Sequence, residues 1–143
     1  MPYVRFQNRR WPATLALATL LVPALLATPF LAAFVLAASA QAGDAVAGQA
    51  VFRTQCAVCH STREGKNAVG PSLFGLVGRK TGTVPGFVYS VANETANLVL
   101  REAALDRYIE APKATVPGTT MTYAGLKDPI QRADLIAYLA TLK

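Results

Sequence analysis

The chain has 143 residues, 52% of them hydrophobic, with 14 basic and 8 acidic side chains and a formal charge of +6. This length suits one small domain behind a leader. The absence of a basic run or an interleaved aromatic set argues against nucleic acid as a partner.

The N-terminus carries much of the apolar content. Arg5, Arg9 and Arg10 precede a stretch from Trp11 to Gly43 that holds no charge. A basic region, an apolar region and Ala40-Gln41-Ala42 before Gly43 form an export signal with an A-x-A cleavage site. The apolar span exceeds the roughly 7–15 residues of a signal core and reaches the roughly 20 of a membrane span. Pro12, Pro23 and Pro29 interrupt it, and Phe30 to Ser39 alone has the length of a signal core. Residues 1–42 are therefore read as a cleavable signal peptide, with an uncleaved anchor as the alternative, and residues 43–143 as the domain. Cleavage removes three arginines and leaves eleven basic against eight acidic residues, a charge of +3. A mildly basic surface suits an acidic protein partner.

Asp44 is placed to cap a helix that carries Val51 and Phe52 into Cys56-Ala57-Val58-Cys59-His60. Gly48 lies one turn before Phe52 on the same face, where glycine permits close helix contact. The spacing C-x-x-C-H is the attachment signature of a c-type haem. Each thiol can add to one haem vinyl group, and two intervening residues let both sulfurs reach the same porphyrin. The adjacent imidazole then falls where it can bind the iron. His60 is the only histidine, and Cys56 and Cys59 are the only cysteines, so a four-ligand zinc site of the usual kind is excluded. A thioredoxin-like dithiol expects a βαβ context, and no strand-like alternation persists long enough here to build a sheet. A lone histidine is ordinarily structural; directly after C-x-x-C it reads as a haem ligand.

Gly/Pro-rich loops follow the motif. A middle helix is expected from Arg101 to Glu110, burying Leu105, Tyr108 and Ile109 and stopping ahead of Pro112. Met1 aside, Met121 is the only methionine. It follows the turn Val116-Pro117-Gly118-Thr119-Thr120 instead of riding an apolar helical stripe, and a turn can aim a thioether across a cleft. Ligation by His and Met raises a haem potential. The soft sulfur favours ferrous iron and closes the position that oxygen or peroxide would need. Met121 is accordingly read as the second axial ligand. The last helix opens at Asp128, with Pro129 at N1 and Gln131 at N3. Its apolar face is Leu135, Tyr138, Leu139 and Leu142.

These motifs stand in order with Gly70-Pro71-Ser72-Leu73-Phe74-Gly75-Leu76-Val77-Gly78-Arg79-Lys80-Thr81-Gly82, Pro85-Gly86-Phe87-Val88-Tyr89-Ser90, Tyr108-Ile109-Glu110-Ala111-Pro112-Lys113 and Asp134-Leu135-Ile136-Ala137-Tyr138-Leu139. From about Gly48 to Leu142 the chain resembles the class I cytochromes c of mitochondria and photosynthetic bacteria. The resemblance implies an all-α fold of three to five helices wrapped around one covalent haem c, with the terminal helices crossing at the glycine. Cys56 and Cys59 would bind the haem, and His60 and Met121 its iron. Pro71 would accept a hydrogen bond from Nδ1 of His60, fixing the tautomer and making the ligand more basic. Arg79 and Tyr89 would hydrogen-bond a haem propionate, a buried carboxylate that needs partners. Asn93 and Tyr108 would stand in the polar network beside the methionine, and Thr119 near the propionates. The plain alternatives are a solvated loop for Arg79 and Lys80 and ordinary half-buried packing for Tyr89 and Tyr108.

Two departures stand out. Leu100 occupies the place of a propionate-donating tryptophan, and the chain's only Trp is Trp11 in the leader. The loop between His60 and Gly70 reads as one residue shorter than the common animal form and carries fewer lysines.

The function implied is a soluble, monomeric, periplasmic electron carrier, not an enzyme. It would take single electrons from a cytochrome bc complex and pass them to a terminal cytochrome oxidase or a photosynthetic reaction centre. Arg53, Lys113 and Lys127 would present positive charge near the haem edge. Rival readings are a membrane-tethered form of the same carrier, a haem peroxidase and a gas-sensing haem module. A peroxidase needs open iron and a distal acid or base. Met121 closes that position, and the one histidine is already used.

Overall fold

A computed structural model describes residues 42–143. Of residues 1–42, expected to be a signal peptide, only Ala42 falls among them. The described residues form five helices: α1 (Ala45–Gln55), α2 (Val91–Thr95), α3 (Glu102–Glu110), α4 (Pro112–Thr115) and α5 (Pro129–Ala140). Both terminal helices begin as the sequence dictates. Oδ1 of Asp44 accepts from the Val46 amide at 2.7 Å and from that of Ala47 at 3.4 Å. Asp128 does the same for Ile130 and Gln131, at 2.8 and 3.2 Å. Each cap satisfies amides that the first helical turn leaves without partners. Pro129 sits at the first helical position, where its missing N–H costs nothing.

Helices α1 and α5 pack at Gly48. A methyl group there would run into the Asp134 carbonyl and come within 2.9 Å of the Tyr138 Cβ. The Phe52 and Tyr138 rings meet beside this contact with centroids 5.6 Å apart. The Asp44 amide also donates to Oδ1 of Asp134 at 2.7 Å, so the cap residue of α1 is tied to α5. Around this crossing the core gathers Phe52, Leu73, Leu76, Leu100, Leu105, Ile109, Leu126, Leu135, Ile136 and Leu139. Ile136 joins the core although the expected apolar face omits it, Tyr138 is only partly buried, and Leu142, also partly buried, lies past the end of α5.

Helix α3 starts one residue later than periodicity suggests, because Arg101 is its extended N-cap at φ −76°, ψ 166°. Helices α2 and α4 are single short turns, too brief for an apolar period to reveal. Ser90 caps the first of them, and Pro112 opens the second. The only β pairing among the described residues is an isolated bridge between Lys80 and Val99. No helix among them is long and apolar enough to cross a membrane.

One buried charge escaped sequence reasoning. Arg132 on α5 is 6% exposed. Its Nε donates to Oδ1 of Asp106 on α3 at 2.7 Å, and its Nη1 donates to the carbonyls of Leu126 and Lys127 at 3.0 and 2.9 Å. A buried cation is tolerated when its donors are satisfied in this way.

Candidate haem site

The site begins where α1 ends. The Cys56 amide still bonds to the Phe52 carbonyl, and the amides of Cys59 and His60 both donate to the Cys56 carbonyl, at 3.0 and 2.9 Å. This tight curl brings both thiols and the imidazole to one cavity of about 430 Å³. Nδ1 of His60 lies 2.7 Å from the Pro71 carbonyl oxygen. A carbonyl only accepts, so Nδ1 carries the proton and Nε2 keeps its lone pair for a metal. Burial lowers the His60 pKa, against a smaller opposing effect of the Pro71 bond, so the ring is neutral and ready to ligate at neutral pH.

Gly70 has a role that spacing did not reveal. Its Cα packs so close to the imidazole that any side chain would collide with the ring, while its amide donates to the Cys59 carbonyl at 2.8 Å. Asn67 was missed as well. Its Nδ2 donates to the Pro85 carbonyl at 3.0 Å, and its Oδ1 accepts from the Ser72 amide at 3.0 Å, joining three loops. The one available signal for Gly70 was a glycine directly before Pro71. Nothing in the sequence marked Asn67.

Burial, and secondarily Cys59, pushes the Cys56 thiol up to about 11. A dithiol oxidoreductase instead lowers the pKa of its reactive thiol. The electrostatics therefore oppose the thioredoxin-like reading.

Pro71, Arg79, Tyr89, Asn93, Tyr108, Thr119 and Met121 line the same cavity as Cys56, Cys59 and His60. A polar chain leads to the methionine. Asn93, itself buried, accepts at Oδ1 from Ser90 Oγ at 2.9 Å and from Thr119 Oγ1 at 2.7 Å, and its Nδ2 donates to the Tyr108 hydroxyl at 3.1 Å. The Met121 amide donates to Thr119 Oγ1 at 3.2 Å. Thr119 thus connects α2 to the methionine loop. Arg79 is not a solvated loop side chain: Nη1 and Nη2 donate to the carbonyls of Phe74 and Ser72 at 2.7 and 2.9 Å. The Tyr89 ring packs edge-on against Phe87 with centroids 4.8 Å apart. Burial raises the Tyr89 pKa, which keeps its hydroxyl a neutral donor. Leu100, 5% exposed, lines the cavity and brings no donor.

This donor set fits a c-type haem. It offers two thiols, a histidine with one nitrogen already committed and a thioether, around a space walled largely by side chains such as Leu73, Leu76, Leu105, Leu135 and Leu139. Among the described residues no group of three or more His, Cys, Asp or Glu could hold a metal ion in another way.

A helical domain whose first helix ends in C-x-x-C-H over an apolar cavity is a c-type haem domain. The family model for cytochrome c matches residues 45–143, and the chain belongs to that family. It is 52% identical over 93 residues to cytochrome c2 of Rhodopila globiformis, covering 65% of this chain and 88% of that protein. It is 58% identical over 79 residues to cytochrome c of Trypanosoma brucei brucei, covering 55% and 85%. Among solved structures, cytochrome cH from Methylobacterium extorquens is similar at 42% identity with a TM-score of 0.66, covering 69% of this chain and 99% of that one. Membership gives the coarse function: one covalent haem c and the transfer of single electrons, not catalysis.

Proposed function

We propose that the chain is an exported shuttle that accepts electrons from a cytochrome bc complex and delivers them to a terminal oxidase or a photosynthetic reaction centre. The observation that carries the reading is the pair of restrained donors on one cavity. The His60 ring is held by the Pro71 carbonyl, and the Met121 backbone is held through Thr119 and Asn93, with both residues on the cavity wall. When bound, the haem supplies an iron that takes up and releases one electron. Cys56 and Cys59 would hold the group covalently, and His60 and Met121 would ligate its metal. Arg79 and Tyr89 would donate to a propionate, while Asn93, Tyr108 and Thr119 would keep the methionine loop in place. Two ligands held before and after transfer keep reorganisation small, and a thioether in the sixth position excludes peroxide. In holoprotein extracted with acid-acetone, the haem should stay on the polypeptide, and the pyridine haemochrome spectrum should be that of two saturated vinyl groups. Release of free haem would remove the assignment of Cys56 and Cys59.

Export would end with cleavage before Gly43. The fold supports this boundary, because Asp44 already caps α1 and binds Asp134. Intact mass of the purified holoprotein should equal residues 43–143 plus one haem. Recovery of all 143 residues in washed membranes would favour the anchored form.

Docking to an acidic partner would use the exposed basic residues Arg53, Lys113 and Lys127. Of these, Arg53 is engaged by Gln49, and Lys127 bonds to the Glu110 carbonyl. Lys113 on α4 is therefore the residue to test. Steering by opposite charge weakens as the Debye length falls from about 30 Å at 0.01 M salt to about 10 Å at 0.1 M. The second-order oxidation rate should fall as salt is added, and Lys113→Glu should slow it at low salt only. A rate that is flat or rising with salt would mean an apolar docking face.

A further inference from the structure

The loop from Val116 to Asp128 carries Met121 and is held differently on its two sides. Ahead of the methionine runs the link from Met121 through Thr119 to Asn93. Behind it Thr122 and Ala124 are exposed, and Tyr123 is half-buried against the core and reaches Gln55 at 3.3 Å. The first backbone hydrogen bond after Met121 is at Leu126, whose amide donates to the Ile109 carbonyl at 2.9 Å, next to Gly125, where any side chain would run into the Glu110 carbonyl. The Leu126 and Lys127 carbonyls both accept from Nη1 of Arg132, and Nε of the same guanidinium is held by Asp106 on α3. Arg132 is buried and forms no part of the cavity wall. One side chain therefore spans α3, α5 and the return of the methionine loop.

We propose that Arg132 is a positioning residue for the Met121 thioether. By clamping the Leu126 and Lys127 carbonyls to α3, it sets how readily the loop lifts the sulfur from the iron. The proposal rests on Met121 being the axial ligand. A planar guanidinium can serve the carboxylate and both carbonyls at once; an ammonium cannot match that fork. Without it the two carbonyls lose their donor. The loop can then open locally while the crossing of α1 and α5 stays closed, since regions with few tertiary bonds open at lower cost than the core.

The test is titration of the ferric holoprotein with imidazole, which competes for the sixth position. Its apparent affinity is the intrinsic affinity scaled by the fraction of molecules already open. Arg132→Gln should bind imidazole roughly tenfold more tightly than the native protein, the size of one lost hydrogen bond to a charged group. Arg132→Lys should fall between the two. Asp106→Asn, an isosteric change at a carboxylate that is 42% exposed, should shift affinity less in the same direction. Ile136→Val, buried on the same helix but off the cavity wall, should lower stability and leave imidazole affinity unchanged. An unaltered affinity in Arg132→Gln, or an equal shift in Ile136→Val, overturns the proposal. Should Arg132→Gln fail to fold, Asp106→Asn decides it alone by shifting or not shifting. Met121→Ala separates the two levels. If it binds imidazole no better than the native protein, Met121 is not the ligand and the proposal falls with that reading. If it binds better while the Arg132 and Asp106 variants do not, only the role of Arg132 is lost.

Discussion

Met121→Ala is expected to lower the reduction potential of the holoprotein by on the order of 100 mV, within the range of about 0.8 V that axial ligands span. Met121 is the only methionine beside the initiator, and it lies on the cavity that also holds His60. A thioether donates weakly to ferric iron and stabilises the ferrous state, so its loss favours oxidation. The methyl group of alanine can ligate nothing, and the sixth position opens to water and added ligands. The fold should survive, because the residue is half-buried and belongs to the cavity wall rather than to the apolar cluster around α1 and α5. Spectroelectrochemical titration checks the potential, and circular dichroism checks the fold. An unchanged potential would assign the ligand to another group.

Gly48→Val should cause the largest loss of stability. Even the first carbon of a side chain at this position meets the Asp134 carbonyl and the Tyr138 Cβ. Two of the obstacles are backbone atoms of a capped helix, which cannot rotate away as a flexible side chain can. The helices must therefore separate, and the contacts of Phe52 with Tyr138 and of the Asp44 amide with Asp134 loosen together. Overpacking ordinarily costs about 1–3 kcal/mol, and displaced backbone puts this case at or above about 3 kcal/mol. For a domain of about 100 residues that is a fall in Tm of more than roughly 12 °C. Val46→Ala on the same helix is the control. Val46 is 78% exposed, so the change should stay within about 0.5 kcal/mol. Equal Tm values for the Gly48 variant and the native protein would mean that the crossing is not a tight contact.

The readable parts of the fold were those with local chemical causes. Asp44, Asp128 and Pro129 announce helix starts because a cap needs only a side-chain oxygen and nearby amides. The apolar face of α5 was legible from its period, although Ile136 showed that the buried face is wider than the stripe. Cys56, Cys59 and His60 were legible because covalent attachment imposes a fixed spacing. Pro71, Arg79, Tyr89, Asn93, Tyr108 and Thr119 could be placed only through resemblance, since no local rule brings loops together across a cavity.

Arg132 and Asn67 were invisible for the same reason, and the ring-packing role of Gly70 was marked only by its place directly before Pro71. A buried arginine reads in sequence as a surface charge until the carbonyls of Leu126 and Lys127 are seen to converge on it. Asn67 reads as an ordinary loop residue until Pro85 and Ser72 meet on its amide. Tertiary hydrogen bonds between distant loops leave no period and no motif. Leu100 is the opposite case. Its departure from the family pattern was plain in sequence, and the structure adds that it is buried in the core and lines the cavity wall.

An electron-transfer site needs closed iron, with His60 and Met121 both retained as ligands. Addition of carbon monoxide to the reduced native holoprotein tests it most directly. A retained thioether leaves no vacant position, so the absorption spectrum should not change at neutral pH. Prompt, stoichiometric formation of a carbon monoxide complex would show an open sixth position and would contradict the account in favour of a gas-binding or peroxidatic haem.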